Sequence, residues 1–125
     1  MEEGDNDVNG VVCLLIKEGP MQGHTFAIKS SEPVIIGRET DVTVQIPYDS
    51  FCSRKHAKIF YKENKYFLED LKSTNGTYLN DILVESPKEL KNNDKIKFGS
   101  TEAVFLVKEE NGQSKTPPSN LFLGD

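Results

Sequence analysis

Ala57-Lys58-Ile59-Phe60-Tyr61-Lys62-Glu63-Asn64-Lys65-Tyr66-Phe67-Leu68-Glu69-Asp70 is the stretch that decides the fold. Over Ala57–Tyr61 the side chains alternate, with Ala57, Ile59 and Tyr61 on one face and Lys58, Phe60 and Lys62 on the other. A period of two is that of a strand with one face on a core. Lys65–Asp70 resumes after only Glu63-Asn64, which leaves room for nothing but a tight hairpin turn. The same grammar extends outward. Val11–Lys17, His24–Lys29, Pro33–Gly37 and Val42–Ile46 read as strands before the hairpin; Thr77–Leu79, Ile82–Val84, Asp94–Phe98 and Glu102–Lys108 read as strands after it. Asn80-Asp81 and Asn92-Asn93 supply further turn signals. No window of helical length shows a period of 3.6. About ten short strands at spacings of roughly eight to twelve residues predict an all-β sandwich or barrel.

The chain has 125 residues, enough for one domain. Residues 1–10 are acidic and polar and predict a disordered lead; 109–125, with Thr116-Pro117-Pro118, predict a flexible tail ending in the apolar triplet Leu121-Phe122-Leu123. The folded unit is placed at 11–108. A net charge of −5 argues against sequence-independent nucleic-acid binding, which needs a broad basic surface. It leaves room for one small anion held by a local group of cations. No apolar run approaches the ~20 residues of a membrane span. Cys13 and Cys52 make no disulfide framework and suit a reducing compartment. With no leader visible, the expected location is the cytoplasm. Nothing calls for a cofactor, and the default is a monomer.

Three connections carry the chemistry: Gly37-Arg38, Ser53-Arg54-Lys55-His56 and Ser73-Thr74-Asn75-Gly76-Thr77. Each has a bland reading: a solvated arginine, a surface charge pair, an Asn-Gly turn. Together they place cations, small hydroxyls and a turn amide on loops at strand ends. A guanidinium fork fits phosphate oxygens, and hydroxyls and loop N–H groups donate to the rest. An Asn amide pairs with extended backbone as a peptide bond does.

These residues, in this order, resemble the forkhead-associated (FHA) domain. Asp70-Leu71, Tyr78-Leu79-Asn80 and Asp94-x-Ile96-x-Phe98-Gly99 add to the resemblance, which covers about 11–108. It implies an FHA-type β-sandwich of about eleven strands that binds phosphothreonine peptides through loops at one end, a protein–protein interaction module of Ser/Thr kinase signalling. By that resemblance Arg38 and Ser53 contact phosphate, and Arg54 touches phosphate or peptide. Thr74 meets the phosphate or the threonine methyl, and Asn75 bonds the ligand main chain. Gly37, His56 and Gly76 support the loops from behind.

A phosphothreonine brings about −1.5 to −2 charges, so phosphorylation would switch binding on. An enzyme built on Cys52 or Ser53 with His56 as base lacks a nucleophile elbow. A metal site from Cys52, His56 and His24 lacks a second ligand pair. The competing reading is a phospho-independent FHA-like scaffold binding through a sheet face. A phosphorylated Thr116 would offer the tail as a candidate ligand to the domain's own site or to that of another copy. The residue preference after the phosphothreonine is not legible in the loops Pro47–Cys52, Ser86–Asn93 and Gly99–Thr101.

Overall fold

The computed structural model describes residues 10–109, and every regular element among them is a strand. In chain order these are β1 (Gly10–Glu18), β2 (Thr25–Ile28), β3 (Val34–Gly37), β4 (Val44–Gln45), β5 (Ala57–Lys62) and β6 (Lys65–Asp70). They are followed by β7 (Thr77–Leu79), β8 (Ile82–Leu83), β9 (Lys88–Leu90), β10 (Asp94–Phe98) and β11 (Thr101–Glu109). One sheet has the order β9-β6-β5-β3-β4 and the other β2-β1-β11-β10-β7-β8. All pairs are antiparallel except β3 with β4.

Alternation puts one face of each sheet into a shared core. Val12, Leu14 and Ile16 of β1 meet Ala103 and Phe105 of β11 and Ile96 and Phe98 of β10 on one side. Val34, Ile36, Ile59 and Leu68 line the other. Burying side chains of this size contributes about 1.5–3 kcal/mol each, so the strand scaffold is firm where it launches the loops. On the outer face of the smaller sheet Phe60 stacks on Phe67 with ring centroids 5.5 Å apart, and Lys58 pairs with Glu69 at 3.4 Å.

The β5–β6 hairpin turns at Glu63 and Asn64, both left-handed at φ 53° and 68°. The β7–β8 hairpin turns at Asn80 and Asp81, φ 49° and 73°. Two positive φ values in succession match the right-handed twist of the flanking strands. Three expectations shift. Val42–Ile46 is regular only at Val44–Gln45; Ile82–Val84 shortens to Ile82–Leu83; and Lys88–Leu90, placed within the loop Ser86–Asn93, is a strand paired with β6. Gly10 and Glu109, placed in the lead and the tail, instead pair with each other at the ends of β1 and β11; the rest of both segments, Thr116 included, lies outside the described residues.

Register decides where the loops go. Gly37 ends β3, Ala57 pairs with Asp70, and Thr77 and Thr101 both pair with Phe98. The connections 38–43, 46–56, 71–76 and 99–100 therefore gather at one end of the sandwich.

Candidate functional site

At that end an open cleft of about 610 Å³ is lined by Arg38, Glu39, Ser53, Arg54, Lys55 and Thr74. Four of the five residues expected to bind ligand share this cleft; Asn75 stands next to Thr74 and lines the adjoining surface. Arg38 is anchored before any ligand arrives. Its Nε donates to the Cys52 carbonyl at 2.7 Å and its backbone N–H to the Ser53 carbonyl at 3.1 Å. The Nη donors are left for the cleft. This close crossing needs a residue without a side chain just before it, since a Cβ on Gly37 would lie 2.0 Å from the Arg54 carbonyl oxygen.

The loops are tied to one another. Ser53 Oγ accepts from the Thr74 backbone N–H at 3.0 Å, which leaves its own hydrogen free to donate. His56 is fully buried between the loops. Its Nδ1 accepts from the Ser53 backbone N–H at 3.0 Å, so Nε2 carries the proton and donates to the Gly76 carbonyl at 2.8 Å. Burial lowers the imidazole pKa, against the opposing pull of the Gly76 carbonyl, Asp70 and Asp49. A neutral His56 thus stands behind the cleft rather than in it. Arg54 and Lys55 are exposed, and Lys55 Nζ lies 3.8 Å from Glu39 Oε1.

Two aspartates fix the loop bases, and sequence reading gave neither this task. Asp70 accepts from the Ser73 backbone N–H and hydroxyl and from the Thr77 hydroxyl. The Ser73 hydroxyl in turn accepts from the Gly76 N–H. Asp49 is buried and accepts from the Phe51 and Ser100 N–H groups and from the Ser100 and Thr101 hydroxyls. Burial alone would raise both carboxyls. The bonds from Thr101, Ser100 and Phe51 to Asp49, and from Ser73 and Thr77 to Asp70, outweigh it and lower both pKa values. Apart from the nearby Phe51 N–H, the partners of Asp49 lie 51 and 52 residues away in sequence, so little local signal marks it; only the Ser100 and Thr101 hydroxyls hint at an acceptor. Asn75 donates through Nδ2 to the Phe51 carbonyl at 2.8 Å, closing the circle of loops. Tyr48 and Phe51, on the loop thus held, are 77% and 61% exposed.

The family model for the FHA domain matches residues 34–99, from the start of β3 to the turn after β10, and so takes in all three loops. The chain belongs to the FHA domain family. Among its relatives, the FHA domain-containing protein FhaB of Mycobacterium tuberculosis is 33% identical over 88 residues, covering 70% of this chain and 56% of that protein. The glycogen accumulation regulator GarA of the same organism is 32% identical over 104 residues, covering 83% of this chain and 62% of its own. The chain therefore spans a little over half the length of each of these two relatives. A structure solved in a structural and functional analysis of phosphothreonine-dependent FHA domain interactions superposes with a TM-score of 0.70 at 32% identity, over 78% of this chain and 97% of that one. Within this FHA domain Cys52 is no nucleophile in waiting. Burial first, and Asp49 second, push its thiol up to about 12, with Arg38 offsetting part of the shift.

Proposed function

We propose that this FHA domain is a phosphorylation-dependent interaction module that binds phosphothreonine-containing peptides in Ser/Thr kinase signalling. The observation that carries the reading is the cleft itself: Arg38, Arg54 and Lys55 with the Ser53 and Thr74 side chains around one opening. Three cations face one carboxylate there, a surplus that an unphosphorylated threonine leaves unmatched. In this reading Arg38 and Arg54 neutralise the phosphate and Ser53 donates its hydroxyl to it. Thr74 contacts phosphate or methyl, and Asn75 uses its Oδ1 on the ligand backbone while Nδ2 stays on Phe51. Gly37, His56 and Gly76 hold the loops at their spacing without touching ligand. The module turns nothing over, consistent with a protonated Cys52 thiol and an imidazole whose two nitrogens are both committed to backbone partners.

No helix among the described residues is long and apolar enough to cross a membrane. Both described thiols are free, and a reducing compartment that holds Ser/Thr kinases, the cytoplasm, is the location that suits them.

The test is a fluorescence titration of wild type and Arg38→Ala with an oriented phosphothreonine peptide library and its unphosphorylated twin. Charge-assisted hydrogen bonds contribute roughly 1.5–3 kcal/mol each, so Arg38→Ala is expected to weaken binding by about tenfold or more. If wild type takes both pools alike, the phosphothreonine reading fails and a sheet-face scaffold replaces it.

A further inference from the structure

Behind the Ser73–Gly76 loop lies a second cleft, of about 690 Å³ and larger than the first. Tyr78, Leu83, Val84 and Pro87 give it an apolar floor, and Glu69 and Glu85 stand on its rim. Thr74 lines both clefts, so the loop is a ridge between them. The two sides differ in sign. The phosphate side has Arg38, Arg54 and Lys55 against Glu39; this side has Glu69, Asp70 and Glu85 against Lys72, with Lys58 reaching Glu69 from the outer sheet face.

The apolar floor does not stop at the cleft. Leu83 is 43% and Ile82 70% exposed, and both line an adjoining hollow of about 290 Å³ with Leu79 and Val84. Large exposed aliphatics contiguous with a polar-rimmed groove mark an interaction surface. The ridge is also fixed, because Ser73 and Thr77 are both bonded to Asp70. Gly76 keeps the wall thin: a Cβ there would meet Leu83 Cδ1 at 2.9 Å.

We infer that this second cleft binds the flank of the same phosphopeptide, taking an apolar residue accompanied by a Lys or Arg within about four positions of the phosphothreonine. The inference rests on the phosphothreonine reading above. Continuity through Thr74 makes a segment of the same ligand the occupant. Extended chain covers about 3.3 Å per residue, so two to four residues carry it over one loop. The apolar side chain settles on Leu83 and Val84, and the cation pairs with Glu85, since Glu69 already holds Lys58 at 3.4 Å. The ligand is thereby read twice, by a negative group on one side of the ridge and a positive one on the other.

The experiment uses the full chain and a phosphothreonine peptide library randomised at four positions on each side. Wild type, Leu83→Asp and Glu85→Lys are selected in parallel. Wild type is expected to enrich apolar and basic residues at flanking positions. Leu83→Asp abolishes the apolar enrichment, and Glu85→Lys turns the basic preference towards acidic residues, while retention still requires phosphate in all three. For a single selected peptide, replacing its apolar-basic pair by alanines lowers affinity by about tenfold. Phosphate-dependent retention with the same flanking selection on all three proteins, or with flat selection on wild type, overturns this inference alone. Retention that ignores phosphate overturns the phosphothreonine reading and this one with it.

Discussion

Gly37→Ala tests whether the cleft depends on two chain segments passing closer than side chains permit. The added methyl would sit 2.0 Å from the Arg54 carbonyl oxygen, 2.7 Å from its carbonyl carbon and 3.0 Å from Lys55 Cα. All three are backbone, so no rotamer change relieves the overlap. Contacts between carbon atoms settle near 3.5–4.0 Å, which means the segments must part by more than 1 Å. Two bonds span the gap, Arg38 N–H to the Ser53 carbonyl at 3.1 Å and Glu39 N–H to the Arg54 carbonyl at 3.2 Å. Losing them costs about 0.5–1.5 kcal/mol each. Overpacking adds about 1–3 kcal/mol. The expected destabilisation is therefore roughly 2–6 kcal/mol, a large share of the ~5–15 kcal/mol that holds a domain folded. Urea unfolding of wild type and variant reads the stability, and a phosphopeptide titration on the folded fraction reads the site. Arg38 would move against Ser53, so affinity is expected to fall along with stability. A loss under about 0.5 kcal/mol with unchanged affinity would refute the close-approach argument. Gly76→Ala is the comparison: its clash is with the end of the Leu83 side chain, which can turn away, and the penalty is mainly that of a left-handed alanine at φ 85°, about 1–2 kcal/mol.

Asp49→Asn sets an amide NH₂ against donors at Ser100 and Thr101; a loss of about 3 kcal/mol in urea unfolding is expected, and loss of amide protection confined to 47–52 and 99–101 by hydrogen exchange would locate it. The lowered pKa of His56 gives stability a pH dependence. Above about pH 6.5 both folded and unfolded chains hold it neutral; below that the unfolded chain takes the proton first, and stability falls with pH. Asp49 and Asp70, lowered from 3.8, lose their contribution only at pH values below that. Unfolding curves from pH 8 to 5 should decline for wild type and flatten for His56→Asn, and a flat wild-type profile contradicts the assignment. At the β5–β6 turn, Glu63→Asn with Asn64→Gly replaces residues held at φ 53° and 68° by ones that favour that region. A gain of about 1 kcal/mol, a rise of roughly 4–8 °C in Tm, is expected by calorimetry.

The strands were legible where alternation was long and bounded by turn residues, as in 57–70, where β5, its turn and β6 stand where the pattern puts them. β9 was hidden because Lys88-Glu89-Leu90 offers a single apolar residue; it is a strand because Leu90 lies opposite Tyr66 and Lys88 opposite Leu68 across the ladder. Val42–Ile46 alternated like a longer strand, but only Ile36 and Gly37 of β3 stand beside it as partners. That Arg38, Ser53, Arg54 and Thr74 share one cleft was legible because each lies on a connection bounded by strand-type runs. Asp49 was not, since Tyr48-Asp49-Ser50 reads as any surface loop until the fold brings Ser100 and Thr101 to it. Glu39 was invisible for the same reason: its place in the cleft depends on the crossing at Gly37.

The buried Cys52 thiol gives the domain a clock. Its own carbonyl holds Arg38 Nε and its N–H bonds to the Asp49 carbonyl at 3.0 Å, so the sulfur lies beneath the junction of the binding loops. An alkylating reagent reaches it only when that junction opens and the thiol meets water. Cys13, half-buried on the other sheet, serves as the reference in the same tube. The ratio of the two labelling rates then counts how often the empty site comes apart, and how far a bound phosphopeptide slows it, without a probe being added to the protein.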